Sequence, residues 1–408
     1  MWQTLVDAMV SRLIREGELE IEYPDGTRQR YGPGGGRSVR VALRDAAVLR
    51  ALCLDPELAL GEGYMDGRIE VGDDDIHGLI SLLLRNRQLG GLPAWARAAD
   101  AARYAVTDFV QRNTPHKARK NVAHHYDISN DLYRLFLDAD MQYSCAYFAR
   151  PDMNLEQAQE AKKAHIAAKL LLEPGMHVLD IGCGWGGMAI TLARGHGVRV
   201  TGVTLSENQL ALGRERVAAA GLSDRVELRL ADYRTLDGPY DRIVSVGMFE
   251  HVGAPQFPTY FQKVEELLTE GGVALIHTIG RVTPPTTHSG WLNKYIFPGG
   301  YVPSLSEVAK PIQRTGLWLT DLEVWRLHYA RTLEEWRRRF ENRLGEVRKT
   351  HDERFIRMWR YYLVACQCTF EIARQGVFQL QLANRIDAVP LTRDYIAPAE
   401  HRALFAAQ

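Results

Sequence analysis

The segment VLDIGCGWGG sets Asp180, Gly182, Gly184 and Gly186 directly after an apolar strand-like run and just before the helical pattern MAITLARGHG. Glycines in that place let the chain turn tightly and bring its backbone up to a ligand at the carboxyl end of a first strand, where α/β sheets take nucleotides. The dinucleotide fingerprint is G-x-G-x-x-G, whereas the spacing here is Asp-x-Gly-x-Gly-x-Gly, which favours S-adenosylmethionine; the bland alternative is a tight turn that binds nothing. The next strand-like run ends in Thr204, where an acidic residue usually meets a ribose, so Gln209 or another polar group would have to serve. Three further residues stand where chemistry is feasible. Glu250 ends a strand-like run, His277 sits inside an apolar one, and Cys145 lies in an aromatic stretch. Read alone, each is more often an ordinary rim carboxylate, a satisfied core histidine or a small buried hydrophobe than a functional group.

The elements that must position these groups alternate along the chain. From about residue 160, helical patterns alternate with short apolar strands, the mark of a parallel sheet with crossover helices. The strands read as 177–181, 198–205, 226–233, 240–247 and 271–280, with two more extended runs at 319–328 and 377–386. Residues 281–306 carry prolines and aromatics without periodicity and read as a lid insertion over a site. Residues 1–92 read as a smaller mixed, mainly helical domain, with alternating stretches LEIEYPDG and RVALRD. Its opening helix presents Trp2, Leu5, Val6, Met9, Leu13 and Ile14 as an apolar face. The basic stretch near KARK places a linker over 93–120, leaving 121–408 as the catalytic domain.

Composition narrows the classes. At 408 residues the chain is long enough for two or three domains. Fifty basic residues balance fifty acidic ones, which argues against a polybasic nucleic-acid binder. No apolar run reaches the roughly 18 residues that span a bilayer. The first segment, with Asp7 and Arg12 inside it and no basic start, does not read as a signal sequence. Five cysteines without metal spacing suit a reducing cytoplasm, and no metal site is expected. The stretch from Arg337 to Arg360 carries nine Lys or Arg against four acids. It reads as a solvated face or as a surface for anionic lipid headgroups.

Taken together, HHYDISNDLYRLFLDADMQYSCAYF, VLDIGCGWGG, GVTLSENQ, DRIVSVGMFEHVG, ALIHTIG, WLNKYIFPGGYVPS and HYARTLEEW resemble the cyclopropane fatty acid synthase family, which includes the mycolic acid cyclopropane synthases. The resemblance runs from about residue 55 to 390. It implies a Rossmann-like methyltransferase core with a mostly parallel seven-stranded sheet. It implies transfer of a methylene carbon from S-adenosylmethionine to the cis double bond of an unsaturated phospholipid acyl chain, by a homodimer docked on the inner face of the cytoplasmic membrane. A related outcome is a methyl-branched or methylene product, and a non-enzymatic one is a lipid-binding scaffold. The family pattern places a bound bicarbonate on Cys145, Glu250, His277, the backbone N–H of Ile279, and Tyr329. For the cofactor it points to Tyr126, Tyr143 and Ser144 at the methionine end and to Asp180, Gly182 and Gly184 at the turn. Thr204, Leu205 and Gln209 fall around the ribose, with Asp232 and Tyr233 near the adenine.

Overall fold

The computed structural model describes residues 1–35, 38–90 and 129–400. The expected linker 93–120 and the cofactor candidate Tyr126 lie outside the described residues. The chain divides into two units. One gathers the described residues up to 90 with Thr286–Phe297 and Leu333–Gln375; the other gathers 129–285 with Pro298–Thr332 and the chain from Gly376 onward.

In the first unit, β1 (Gly17–Glu22), β2 (Arg28–Gly34), β3 (Ser38–Leu43) and β4 (Ile69–Val71) form a sheet in the order β2-β1-β3-β4. Aspartates start three of its helices. Asp45 accepts from the N–H of Val48, Asp55 from Leu58 and Asp75 from Gly78, each meeting an amide that the first turn leaves unpaired. The opening helix Trp2–Leu13 buries Val6 and Val10, with Ile14 just beyond, while Leu5 stays exposed. Its inward stripe therefore follows i, i+4 through Val10, and the expected face through Leu5 is corrected by one position of helix rotation.

The second unit is built on β5 (His177–Ile181), β6 (Arg199–Thr204), β7 (Val226–Leu230), β8 (Tyr240–Val246), β9 (Leu268–Arg281), β10 (Trp318–Trp325) and β11 (Gln375–Ala383). They form the seven-stranded sheet β10-β11-β9-β8-β5-β6-β7. The pairs β5·β6, β5·β8, β6·β7 and β8·β9 are parallel, and β10·β11 is antiparallel. Period-two alternation sends side chains into two cores. Leu179, Ile181, Ile243, Ala274 and Ile276 join the helices Phe257–Leu267 and Leu305–Ile312 on one face. Val178, Val244 and Leu275 join the helices Leu155–Leu170, Gly187–His196 and Glu207–Ala219 on the other. Asp180 breaks the alternation with a carboxylate at 2% exposure.

The expectation of a single catalytic domain over 121–408 with a lid at 281–306 differs from this grouping. Trp291, inside the expected lid, is 1% exposed and donates Nε1–H to Met65 Sδ at 3.2 Å within the first unit. The bare backbone of Gly61 makes room for it. The basic run 337–360 is also occupied locally: Arg338, Arg343, Arg348, Arg354 and Arg360 each reach a carboxylate. That pairing favours the solvated-face reading over headgroup attraction, since neutralised guanidinium groups project little net field.

A side chain at Gly61 would place Cβ 2.3 Å from the ring of Trp291. Overpacking of this kind costs about 1–3 kcal/mol, against roughly 1 kcal/mol gained from helix propensity. Gly61→Ala is therefore expected to lower the denaturant midpoint of the protein; an unchanged or raised midpoint would contradict the packing described.

Candidate active site

The sheet's order reverses between β5 and β8, and a cavity opens where both strands end, as expected of a switch point. Its walls come from the loop 141–144, the turn after β5, the ends of β6 and β7, and the segment 246–252. Ten of the eleven residues expected around the cofactor line it: Tyr143, Ser144, Asp180, Gly182, Gly184, Thr204, Leu205, Gln209, Asp232 and Tyr233.

The turn explains its glycines. Gly182 and Gly184 both have positive φ, at 87° and 53°. A Cβ on Gly182 would strike Met248 at 2.8 Å, but one on Gly184 would meet nothing within 4 Å. Gly184 thus leaves backbone facing an open cradle that a ligand can occupy. At the floor, Asp180 Oδ2 is buried without a hydrogen-bond partner. Burial pushes this carboxyl up to about 7, with Lys162 opposing. An unsatisfied buried acceptor calls for a donor on the ligand, which the ammonium of S-adenosylmethionine supplies. On the far side, Thr204 Oγ1 bonds Gln209 Oε1 at 3.0 Å, so the Gln209 amide is left with its N–H groups to offer. Asp232 is held bidentately by Arg234, through Nε at 2.9 Å and a terminal nitrogen at 2.6 Å. These residues fit the cofactor.

The five residues expected around bicarbonate also meet one another. Cys145, Trp325 and Val377 form a small buried cluster against which Tyr147, Ile279 and Tyr329 pack. His277 stands edge-on to Trp325 at 5.1 Å between ring centroids, and its Nδ1 lies 3.2 Å from Gln379 Nε2. Glu250 joins the group through Oε1, which accepts the Ile279 N–H at 2.6 Å. The sequence expectation gave that N–H to the anion; here it is taken by Glu250. The second oxygen, Glu250 Oε2, is buried and unpartnered, as is the Trp325 indole N–H. Glu250 Oε2 lacks a donor and the Trp325 indole N–H lacks an acceptor; a small oxyanion that still carries a proton suits either, because such a species both donates and accepts. The residues present therefore fit bicarbonate.

Electrostatics give each group a state. Burial raises Glu250 to about 7, with the Ile279 N–H and the Thr278 hydroxyl pulling the other way. Burial holds His277 well below the usual histidine range, so it is neutral. Burial pushes the Cys145 thiol far up, and its Sγ–H donates to the Ala146 carbonyl at 3.4 Å. Protonated and buried, Cys145 is a poor nucleophile. Behind the cluster, Tyr147 stacks on Trp325 at 4.7 Å and on His165 at 4.7 Å. His165 is in turn gripped by Glu323 and Glu400.

Sequence reading missed several residues at this site. Gln142, Met248 and His251 line the cavity from motifs recognised only as blocks, and Arg234 fixes Asp232. Lys162 gave no local signal, because a lysine in the run AKKAHIAAK is ordinarily a solvated helix residue, yet it is fully buried.

Comparison with known proteins follows the same outline. Residues 113–380 match the family model described as mycolic acid cyclopropane synthetase, and residues 5–89 match a domain of unknown function. A probable fatty acid methyltransferase of Pseudomonas putida is 46% identical over 369 residues, covering 86% of this chain and 88% of that protein. The cyclopropane-fatty-acyl-phospholipid synthase of Escherichia coli K12 is 38% identical over 353 residues, covering 86% and 90%. The tuberculostearic acid methyltransferase UfaA1 of Mycobacterium tuberculosis is 42% identical over 403 residues, covering 92% and 91%. Among solved structures, the mycolic acid cyclopropane synthase CmaA1 complexed with SAH and CTAB superposes with a TM-score of 0.63 at 35% identity, covering 66% of this chain and 99% of that one.

Asp180 gives the site a testable pH dependence. Its carboxyl is raised to about 7, so it ionises as pH climbs through that value and loses its charge below it. Binding of S-adenosylhomocysteine, measured by calorimetry, should weaken as pH falls from about 8 to 6, by up to roughly tenfold per unit. Asp180→Asn should flatten the profile; a flat profile in the wild-type protein would contradict the assignment.

Proposed function

The chain belongs to the mycolic acid cyclopropane synthetase family of S-adenosylmethionine-dependent methyltransferases, and from that premise we propose that it adds a methylene carbon across the cis double bond of unsaturated phospholipid acyl chains, forming a cyclopropane ring. Bound S-adenosylmethionine supplies an electrophilic methyl group, and bound bicarbonate supplies a proton acceptor. An alkene carbon takes the methyl, its neighbour becomes cationic, and loss of one proton from the new methyl closes the ring. The protein's part is alignment, exclusion of water and disposal of that proton.

The observation that carries this reading is Glu250 Oε2, an unpartnered carboxylate oxygen beside the cluster of Cys145, Trp325 and Tyr329. Glu250 orients a proton-bearing oxyanion without offering itself to the cation, because its other oxygen is tied to Ile279. Aromatic faces of Trp325 and Tyr329 suit a transient carbocation. The Cys145 thiol, kept protonated by burial, is a weak nucleophile, and Gln379 Nε2 stands 3.2 Å from His277 Nδ1, where an amide donor occupies the imidazole lone pair.

A second reading is supported by the relatives named as a probable fatty acid methyltransferase and a tuberculostearic acid methyltransferase, at 46% and 42% identity: the same cation leads to a methyl-branched or methylene chain. We also propose action as a homodimer docked peripherally on the inner face of the cytoplasmic membrane. Peripheral docking accords with the proposed lipid substrate and with the finding that, among the described residues, no helix is long and apolar enough to cross a bilayer.

Expression in a host lacking cyclopropane lipids, followed by mass spectrometry of its fatty acids, tests the function. A ring or a methylene branch adds CH2, and a saturated methyl branch adds two hydrogens more; fragmentation separates the first two. Unaltered fatty acids from folded, cofactor-binding protein would overturn the enzymatic reading. In the same assay Glu250→Ala should retain S-adenosylhomocysteine binding and lose turnover by about a hundredfold or more, while Cys145→Ser keeps most of its activity. Complete loss in Cys145→Ser with intact binding would show that the thiol takes part.

A further inference from the structure

Lys162, on the helix Leu155–Leu170, is 0% exposed. Among the described residues no carboxylate oxygen comes within 4.0 Å of its ammonium. Its neighbour Lys163 shows the contrast, pairing with Asp140 and Glu160 at 2.7 Å each. Lys162 donates instead to two neutral oxygens, Gln142 Oε1 at 2.5 Å and Ser144 Oγ at 2.8 Å. Asp138, Asp140 and Asp180 act on it only from beyond contact distance, and a buried cation with no carboxylate in direct contact is costly unless a nearer anion completes it.

The bonding pattern indicates where that anion belongs. An ammonium can only donate, so Ser144 Oγ accepts from it and must turn its own proton elsewhere. Among the described residues that proton meets no acceptor. Gln142 is fixed in the same manner, its Oε1 on Lys162 and its Nε2 on Asp140 Oδ2 at 2.9 Å. Gln159 clamps the backbone of the loop through the carbonyls of Gln142 and Ser144, at 3.2 Å and 3.0 Å. Gln142 and Ser144 both line the cofactor cavity. One face of a single helix, through Gln159 and Lys162, thus holds the loop that carries the Ser144 hydroxyl at that wall, with a positive charge behind it.

We propose that Lys162 is a positioning residue for the carboxylate of the cofactor's methionine arm, holding the Ser144 hydroxyl as its donor and supplying the compensating charge. The inference rests on the cavity being the S-adenosylmethionine site. It adds a counter-charge to the carboxylate opposite Asp180, whose unpartnered oxygen suits the ammonium of the same arm.

The test compares S-adenosylhomocysteine with 5′-methylthioadenosine, which has the same adenosine and thioether but lacks the amino-acid arm, by calorimetry on the full-length protein. Lys162→Met, which keeps the length of the stem, should weaken S-adenosylhomocysteine about tenfold or more and leave methylthioadenosine unchanged. Ser144→Ala, which leaves the lysine in place, should show the same selective loss and carries the test if the lysine variant does not fold. Equal losses on both compounds would reduce Lys162 to a structural role and overturn the proposal. So would unchanged S-adenosylhomocysteine affinity, including the case where only bicarbonate binding is lost. Wild-type protein that binds neither compound would instead refute the cofactor reading itself.

Discussion

The hydrogen bond from the Ile279 N–H to Glu250 Oε1 ties the segment after β8 to the end of β9 and leaves a carboxylate half satisfied in an apolar surround. Such an arrangement is costly on its own, since burial without a full set of partners penalises charge. It persists because the sheet around it is rigid: β8 and β9 pair in parallel from Arg242 to Val246, and both cores hold them from either side. The register that sets His277 beside Val246 also brings the imidazole up to Trp325. Glu250 is thereby held at a position where an incoming donor finds an oriented acceptor, which is how preorganised sites lower a barrier without reorganising at the moment of reaction.

The cofactor cavity obeys the same logic with opposite pieces. Asp180 supplies an unpartnered acceptor from the strand end, and Ser144 supplies a donor from the facing loop. Gly184 leaves between them the space that any side chain would fill. Polar groups lacking partners are rare in folded interiors, and Asp180 Oδ2, Glu250 Oε2 and the Trp325 indole N–H are three of them in the second unit. Each is a group that a bound ligand would complete.

Much of this was legible in the sequence. The strands 177–181 and 240–247 show as short apolar runs because both faces of a parallel sheet are buried, and the glycine turn is recognisable because its conformations exclude other residues. The block resemblance named Cys145, Glu250, His277, Ile279 and Tyr329 together, and the fold brings them into one cluster. What sequence could not convey depends on long-range partners. Trp291 reads as part of a lid until Gly61 and Met65 are seen beside it. Arg348 and Arg360 read as a basic surface until Glu353 and Glu341 are placed against them. Lys162 reads as a solvated helix residue because nothing near it in the chain reveals that its face is turned inward.

The central claim is that Glu250 and its surroundings hold a proton-bearing oxyanion at the reacting centre. Its most direct test is a titration of the protein, saturated with S-adenosylhomocysteine, with carbon-13-labelled bicarbonate, following the bound signal by NMR. The account predicts a saturable bound species in the wild-type protein that is lost in Glu250→Gln while cofactor affinity is kept. No bound bicarbonate in the wild type, or equal binding in the variant, would contradict it.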